Sequence, residues 1–557
     1  MSIITCSSYR WCRRDNRTHT VAARVRTTDM AATKQTLPSE DSAPPQRTRL
    51  RFFAAAFTGV LALAAALAAG HLVAGFINVN ASPYLAVGNG AIDLTPVQLK
   101  DFAVRTFGTY DKLVLLSSMA VVLVAVAALA GVLSRRSARP GIALIALFGL
   151  VGAFAVFERP DLTAVALLAP IASLVVGVAV FLLLHRIAPR GWRDPESGDK
   201  SGTSRRAFLL GGAGVVVGAG AAGLGGQLIS SSRDATASRE AVGKLIPART
   251  APAIPADADF AKLGTPPFLT PNGKFYRVDT ALSVPQVRTE DWSLRLHGMV
   301  DREIRYSYRD IRNRPLVERT VTMTCVSNEV GGDYVSTSNF IGVDLADLLA
   351  EAGVKPGAEQ LYCTSVDGWT SGTPVAAAQD RGRGAMLAIG MNGEPLPLEH
   401  GFPARLVTPG LYGYVSATKW VVDIEVTTWA ARQAYWLKRG WAREAPIKTE
   451  SRIDSHRGFA NVAKGKVRVA GVAWAQHTGI EKVEVRVDQG PWQEAMLSQE
   501  VNPNTWRMWW AEVDLPSGVH QVFCRATDKS GYTQTDQRAG TVPDGATGWH
   551  NVTFTAA

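Results

Sequence analysis

Cysteine is scarce and scattered. The 557-residue chain has five, at Cys6, Cys12, Cys325, Cys363 and Cys524, and none forms a CxxC pair. Three of them lie far apart in the C-terminal half, so a disulfide framework is not expected even for a domain outside the cytoplasm. One of these thiols is therefore free for another use. Charge is missing too, but only locally. Long apolar runs with almost no internal charge fill the first two-fifths and are absent afterwards. No nucleic-acid-binding motif accompanies the formal net charge of +11. Much of the excess is Arg in the N-terminal tail and between the apolar runs, where membrane topology is the simpler cause. A nucleic-acid partner is not expected.

Residues 1–50 are polar, Arg-rich and Pro-rich near Pro44 and Pro45, which reads as a disordered cytoplasmic tail, with Met30 as an alternative start. Five apolar segments follow, at roughly 52–76, 113–133, 141–157, 163–184 and 207–226. A bilayer core needs about 20 apolar residues in a helix, with a lower limit near about 17. Buried core helices are the competing reading, but five in succession favour a transmembrane region over 51–229. Arg47, Arg49 and Arg51 precede the first segment. Arg135, Arg136 and Arg139 follow the second. Arg186, Arg190, Arg193, Lys200, Arg205 and Arg206 lie between the fourth and fifth. The loops 77–112 and 158–161 are poorer in Lys and Arg for their length. The positive-inside rule then gives a multi-pass cell-membrane protein with a cytoplasmic N-terminus and an extracytoplasmic C-terminal half. The fifth segment opens Ser204-Arg205-Arg206-Ala207-Phe208-Leu209-Leu210, which looks like an internal twin-arginine export signal. Ala235-Thr236-Ala237 resembles a cleavage site, and the sequence leaves open whether it is cut.

Beyond the spans, residues 230–268 are Ala/Pro/Ser-rich and read as a tether. Over 269–440, strand-like alternation at 292–297 and 320–325 mixes with a short helix over Asp344–Ala350, ended near Gly353. Further strands are expected at 404–408 and 420–426. The mixture, without βαβ repetition, predicts an α+β domain. From 441 to 557, short strands punctuated by turns predict a separate β-sandwich, with strands at 466–470, 483–487, 506–513 and 519–527.

The alternation Thr320-Val321-Thr322-Met323-Thr324-Cys325 puts Cys325 at a strand exit, before polar residues and the pair Gly331-Gly332. A thiolate there is a soft ligand suited to a transition metal. On spacing alone, a buried structural cysteine is the better reading. Cys363 and Cys524, inside strand-like stretches, keep that core reading. Further on come Met391-Asn392-Gly393-Glu394-Pro395, His400-Gly401-Phe402-Pro403-Ala404-Arg405 and Ser416-Ala417-Thr418-Lys419-Trp420. Together with Asp367-Gly368-Trp369 and Phe340-Ile341-Gly342-Val343, these strongly resemble the molybdopterin-binding domain of the sulfite oxidase family. The resemblance covers roughly 265–557.

It implies a molybdenum–molybdopterin cofactor with Cys325 as the metal's protein ligand and catalytic centre. His400 and Arg405 match positions that contact the pterin or its phosphate. Ala417, Thr418 and Lys419 match a segment that wraps the phosphate. Phe275-Tyr276-Arg277 matches an approach to the same pocket in the sulfoxide-reductase branch, which makes Tyr276 and Arg277 cofactor residues, with Thr364 beside them. A dianionic phosphate needs such Arg, Lys and donor groups. Without the resemblance, His400 would read as a hydrogen-bonded structural histidine, and Arg405 and Lys419 as ordinary surface charge, a reading that their place inside apolar runs disfavours. The last domain resembles the family's immunoglobulin-like dimerisation domain, implying a homodimer.

The chain also departs from the family. Asn328-Glu329-Val330 stands where sulfite oxidases carry paired arginines, and Trp441 falls near a catalytic tyrosine. Both put sulfite itself in doubt. Arg381 and Arg383 could restore positive charge. No cytochrome b5-like haem domain is present, and His71 and His185 are poorly placed to clamp a haem. The implied activity is two-electron oxygen-atom transfer on a small substrate, sulfite or an S-oxide such as oxidised methionine, with the electron partner unidentified. A non-catalytic, membrane-anchored ligand-binding or sensor protein is the alternative.

Overall fold

The computed structural model describes residues 50–189, 201–232, 235–456 and 458–557. The expected tail lies outside these, as do Cys6, Cys12, Arg190, Arg193 and Lys200. Seven helices come first: α1 (Phe52–Ile77), α2 (Pro83–Leu94), α3 (Val97–Phe107), α4 (Asp111–Leu133), α5 (Arg139–Phe157), α6 (Leu168–Ile187) and α7 (Ser201–Ser232). Ala, Leu, Val and Gly surround most of them without a polar face, as expected of helices in an apolar environment. Five stretches are long and apolar enough to cross a membrane: Phe52–Ile77, Asp111–Leu133, Arg139–Phe157, Ala164–Ile187 and Arg205–Ile229. Small residues let these helices touch backbone to backbone. A Cβ on Gly59 of α1 would lie 1.9 Å from the Ala127 carbonyl oxygen of α4. The 77–112 stretch, expected as a loop, instead contains α2 and α3. Pro83 starts α2 at a first-turn position, where a missing N–H costs nothing.

The 230–268 stretch is not a free tether where it is described. Helix α8 (Thr236–Val242) follows Ala235, whose N–H donates to Gln286 Oε1 at 2.9 Å. Arg239 donates to the carbonyls of Pro395 and Leu396 at 2.7 and 2.8 Å. Val242, Leu245 and Phe268 are buried. Isolated apolar residues in an Ala/Pro background fill grooves here, a pattern with no periodicity to reveal it.

Two sheets build the next region. One runs β2 (Ile304–Ser307), β1 (Ser293–Gly298), β10 (Val421–Thr427), β5 (Gln360–Ser365) and β6 (Thr370–Pro374), with only the β1–β10 pair parallel. The other runs β3 (Val317–Thr324), β4 (Val335–Asp344), β7 (Met386–Met391) and β8 (Glu394–Pro395), with β9 (Arg405–Val407) on β7. The helix Leu345–Ala352 ends at Gly353, φ +71°, a conformation that favours glycine. The mixed pattern is the expected α+β arrangement.

The last region is two packed antiparallel-rich sheets. Glu450–Ile453, Gly465–Trp474 and Arg507–Leu515 lie in one, and Ile480–Val487, Gly518–Asp528 and His550–Ala556 in the other. Val469, Val483, Trp509, Val522 and Phe554 fill the space between them. Cys524 is buried there, and Cys363 in the preceding core. The polar face of β3 turns toward this sandwich rather than to water. Trp506 N–H donates to Thr322 Oγ1 at 2.7 Å, and Gln476 Nε2 to Thr324 Oγ1 at 3.1 Å.

Glu450 is buried in the same region, and that burial pushes its carboxyl up to about 8, against Lys448 and with Glu329. A raised folded value means this stabilising contribution is whole below the unfolded value of 4.5 and is lost as pH rises through about 8. Glu450→Gln is therefore expected to flatten the fall in stability between pH 5 and 9, by on the order of a few kcal/mol. Calorimetry of both proteins at several pH values checks this, and parallel profiles would sink it.

Candidate active site

Strand β3 ends at Thr324, and the chain turns at once. Cys325 N–H donates to Tyr334 O and Asn328 N–H to Cys325 O, both at 3.0 Å. Asn328 Oδ1 accepts Tyr334 N–H at 2.8 Å, closing the loop. Gly331 has φ +82°, and a Cβ on it would sit 2.2 Å from the His550 ring. No other residue fits that turn. The turn presents Cys325 to a cavity of about 390 Å³. Burial raises the Cys325 thiol, while Ser327 and Lys419 pull the other way.

Five of the nine expected site residues line this cavity: Tyr276, Cys325, Arg405, Ala417 and Lys419. The other four, Arg277, Thr364, His400 and Thr418, do not. His400 lies beside it, its Nε2 at 3.0 Å from Asn272 O and its carbonyl accepting Arg405 Nη1 at 3.2 Å. Thr418 is buried, with Oγ1 at 2.7 Å from Ser371 Oγ. Arg277 Nε reaches Asp279 Oδ2 at 2.8 Å. Thr364 is on β5 with its side chain alternating away from Ser365, and it is Ser365 that lines the cavity. Arg381 pairs with Asp347 on the surface at 2.7 Å, and Arg383 donates to Pro409 O at 2.8 Å; neither reaches the cavity.

The electrostatics favour an anion. Arg405 is 3% exposed. Its hydrogen bonds go to the carbonyls of His400 and Leu406, and its guanidinium lies 5.7 Å from the Phe340 ring centroid. Among the described residues it has no carboxylate. Burial brings it down to about 10. Lys419, with 11% of its side chain exposed, is lowered to about 8 by desolvation, although Asp279 opposes this. Burial, Lys419 and Arg405 hold His400 down to about 3, so its ring is neutral. Its Nδ1 is buried without a hydrogen-bond partner among the described residues.

Asp279 was not foreseen. It accepts from Lys112 at 2.6 Å, Lys419 at 3.1 Å and Arg277 at 2.8 Å. Burial alone would raise its carboxyl, but Lys419, Lys112 and Arg277 together hold it well below the usual range. Lys112 stands in the first turn of α4, so this carboxylate ties an apolar helix to the cavity floor. The available signals were an acid two residues after Arg277 and a lone lysine at the head of an apolar run. Asp279→Asn leaves the largely enclosed Lys419 and the half-buried Lys112 without their carboxylate. It is expected to destabilise the protein by about 3–5 kcal/mol, measured by denaturant unfolding. A change below about 1 kcal/mol would show the network is solvent-screened.

The oxidoreductase molybdopterin binding domain matches residues 281–436. Mitochondrial sulfite oxidase of Macaca fascicularis is 29% identical over 323 residues, 49% of this chain and 59% of the relative. The uncharacterized oxidoreductase YuiH of Bacillus subtilis is 33% identical over 150 residues, 27% of this chain and 72% of the relative. The chain belongs to the sulfite oxidase family of molybdopterin oxidoreductases. It spans 59% of the length of the first of those relatives. The family's cofactor can be tested against the residues present. A buried thiol and, among the described residues, a buried guanidinium without a carboxylate and a buried imidazole nitrogen without a partner suit a metal-bearing anion with phosphate and ring-edge donors. The residues fit the group.

Proposed function

We propose that the chain is a molybdenum-cofactor-dependent oxidoreductase performing two-electron oxygen-atom transfer on a small sulfur compound. Its five apolar spans anchor it in the cell membrane, and its catalytic half lies outside the cytoplasm. The observation that carries this reading is the meeting in one cavity of Cys325 and Arg405, which has no carboxylate among the described residues. The cofactor, when bound, supplies the oxygen exchange and the two-electron redox change. Cys325 would ligate the metal as thiolate, and Lys419 favours that charged form. Arg405 and Lys419 would hold the phosphate, with His400, Thr418 and Ala417 around them. Burial first, and the Cys325 charge next, keep the Tyr276 phenol protonated, so its hydroxyl can donate a hydrogen bond in the cavity. Reduction of an S-oxide is the second reading. Trp369, Trp436 and Trp441 line the cavity where an anionic substrate would call for arginines. The C-terminal sandwich is an immunoglobulin-like dimerisation domain in this reading.

Metal and pterin analysis of the full chain, purified from cells able to make molybdopterin, tests the proposal. About one molybdenum per chain, with turnover of sulfite or an S-oxide, is the expected result. Well-folded protein without the metal would leave a ligand-binding module on an anchor. The export segment yields a separate prediction. Ala235 is fully buried and α8 already begins at Thr236, so the cleavage-like Ala235-Thr236-Ala237 is not extended and open. Intact-mass measurement is expected to find the fifth span retained, and a new N-terminus at Ser238 would overturn this.

A further inference from the structure

The cavity of Cys325 has a wall that the oxidoreductase domain does not supply. Leu99, Ala103 and Phe107 of α3 and Leu115 of α4 line it. Helix α4 is one of the five stretches able to span a membrane. The wall is thus aliphatic and aromatic, and it is continuous with the apolar helices. Facing the cavity, Trp441 is 4% exposed, yet its indole N–H has no hydrogen-bond partner among the described residues. A buried donor left unmade is destabilising and marks a place for an acceptor. The Trp441 ring lies 5.7 Å from Trp436 and 5.6 Å from Tyr414. A second donor stands on α3. Lys100 holds its Nζ 5.5 Å from the Trp436 ring centroid and 3.1 Å from Tyr435 Oη, and Tyr435 donates to Asp93 at 2.8 Å. Burial and the nearby Arg439 bring Lys100 down to about 8, with Asp93 opposing.

This arm therefore offers aromatic faces, two N–H donors and an apolar exit. The matching ligand is a flat ring with two carbonyl acceptors and an apolar chain. We propose that a membrane-soluble quinone binds between α3 and the 436–441 segment. Trp441 Nε1 and Lys100 Nζ are its carbonyl donors, and Leu99, Phe107 and Leu115 receive its tail. Such a ligand carries two electrons and two protons as quinol, the same number the proposed oxygen-atom transfer exchanges. The proposal rests on the membrane and metal-site reading for the ligand's purpose, while binding itself needs no metal.

The test uses the full chain in lipid nanodiscs and a decyl-benzoquinone carrying a photoreactive azide. Mass spectrometry is expected to place the label within residues 92–107 and 435–441. Unlabelled decyl-benzoquinone should compete, and decylbenzene, which lacks the carbonyls, should not. Trp441→Phe and Lys100→Met should each weaken competition by about tenfold, the effect of one lost hydrogen bond. Equal competition by decylbenzene would overturn the proposal, since it would reveal an apolar slot only. Competition by decyl methyl sulfoxide in place of the quinone would also overturn it, in favour of a lipophilic substrate. Metal analysis of the same preparation keeps the two readings apart. Quinone binding to molybdenum-free protein upholds this site and sinks the enzyme. Molybdenum without quinone labelling does the reverse.

Discussion

Cys325→Ser is expected to leave a folded chain whose turnover falls by more than about 100-fold, beyond the roughly 10- to 100-fold that loss of a residue supporting a metal ligand produces. The substitution is nearly isosteric, and the turn around residue 325 is held by main-chain hydrogen bonds and by Asn328, with Ser327 bonds to the sulfur that a serine oxygen can replace. The unfolding midpoint should barely move. What changes is chemistry. A free serine hydroxyl stays protonated at neutral pH and is a hard oxygen donor, whereas the cysteine thiolate is a soft, polarisable sulfur donor. X-ray absorption on the mutant should therefore lack one sulfur scatterer. Cys363→Ser and Cys524→Ser supply the contrast. Both thiols are fully buried in hydrophobic cores, away from the cavity. Placing a hydroxyl there should destabilise the fold by about 1–3 kcal/mol and leave molybdenum per folded chain unchanged. Equal metal loss in all three variants, or full turnover in Cys325→Ser, would remove Cys325 from the site.

That contrast also marks what the sequence made legible. Strand β3 could be read because its period-2 pattern and the glycines after it are local features. Its polar face could not, because Thr322 and Thr324 look solvent-facing until the sandwich, well over a hundred residues later, is laid against them. Cys325, Arg405 and Lys419 could be placed because they sit in contiguous motifs. Asp279 could not, since its meaning depends on Lys112, which is 167 residues away. Thr364 shows the limit of motif transfer. A shift of one residue along a strand exchanges the faces, and Ser365 rather than Thr364 meets the cavity. The apolar helices were legible from length and hydropathy alone. Their approach to the cavity was not, because α2 and α3 carry mixed composition and the bonds that tie them to Tyr435 span more than three hundred residues of sequence.

Arg405→Met should move stability and cofactor content in opposite directions. Without its anion, Arg405 is a guanidinium buried among carbonyls and a phenyl face, with no carboxylate among the described residues. An uncompensated buried charge opposes folding; since replacing even a paired buried charge by hydrophobic groups of similar volume is neutral or stabilising by up to about 4 kcal/mol, replacing this unpaired one should stabilise as well. Protein made in cells without molybdopterin is therefore expected to unfold at higher denaturant when it carries Arg405→Met. In cells that make the cofactor the order reverses. A charge-assisted hydrogen bond to phosphate contributes about 1.5–3 kcal/mol, so its loss should lower pterin occupancy by about 10- to 100-fold in affinity. Arg405→Lys should fall between, because it keeps the charge and loses the planar fork. Both arms are read by denaturant unfolding beside pterin content. If Arg405→Met destabilises the cofactor-free chain as much as the loaded one, the guanidinium is serving the Phe340 ring and the His400 carbonyl as a structural group. The anion site would then have to be sought at Lys419 alone, where Asp279 already neutralises the charge.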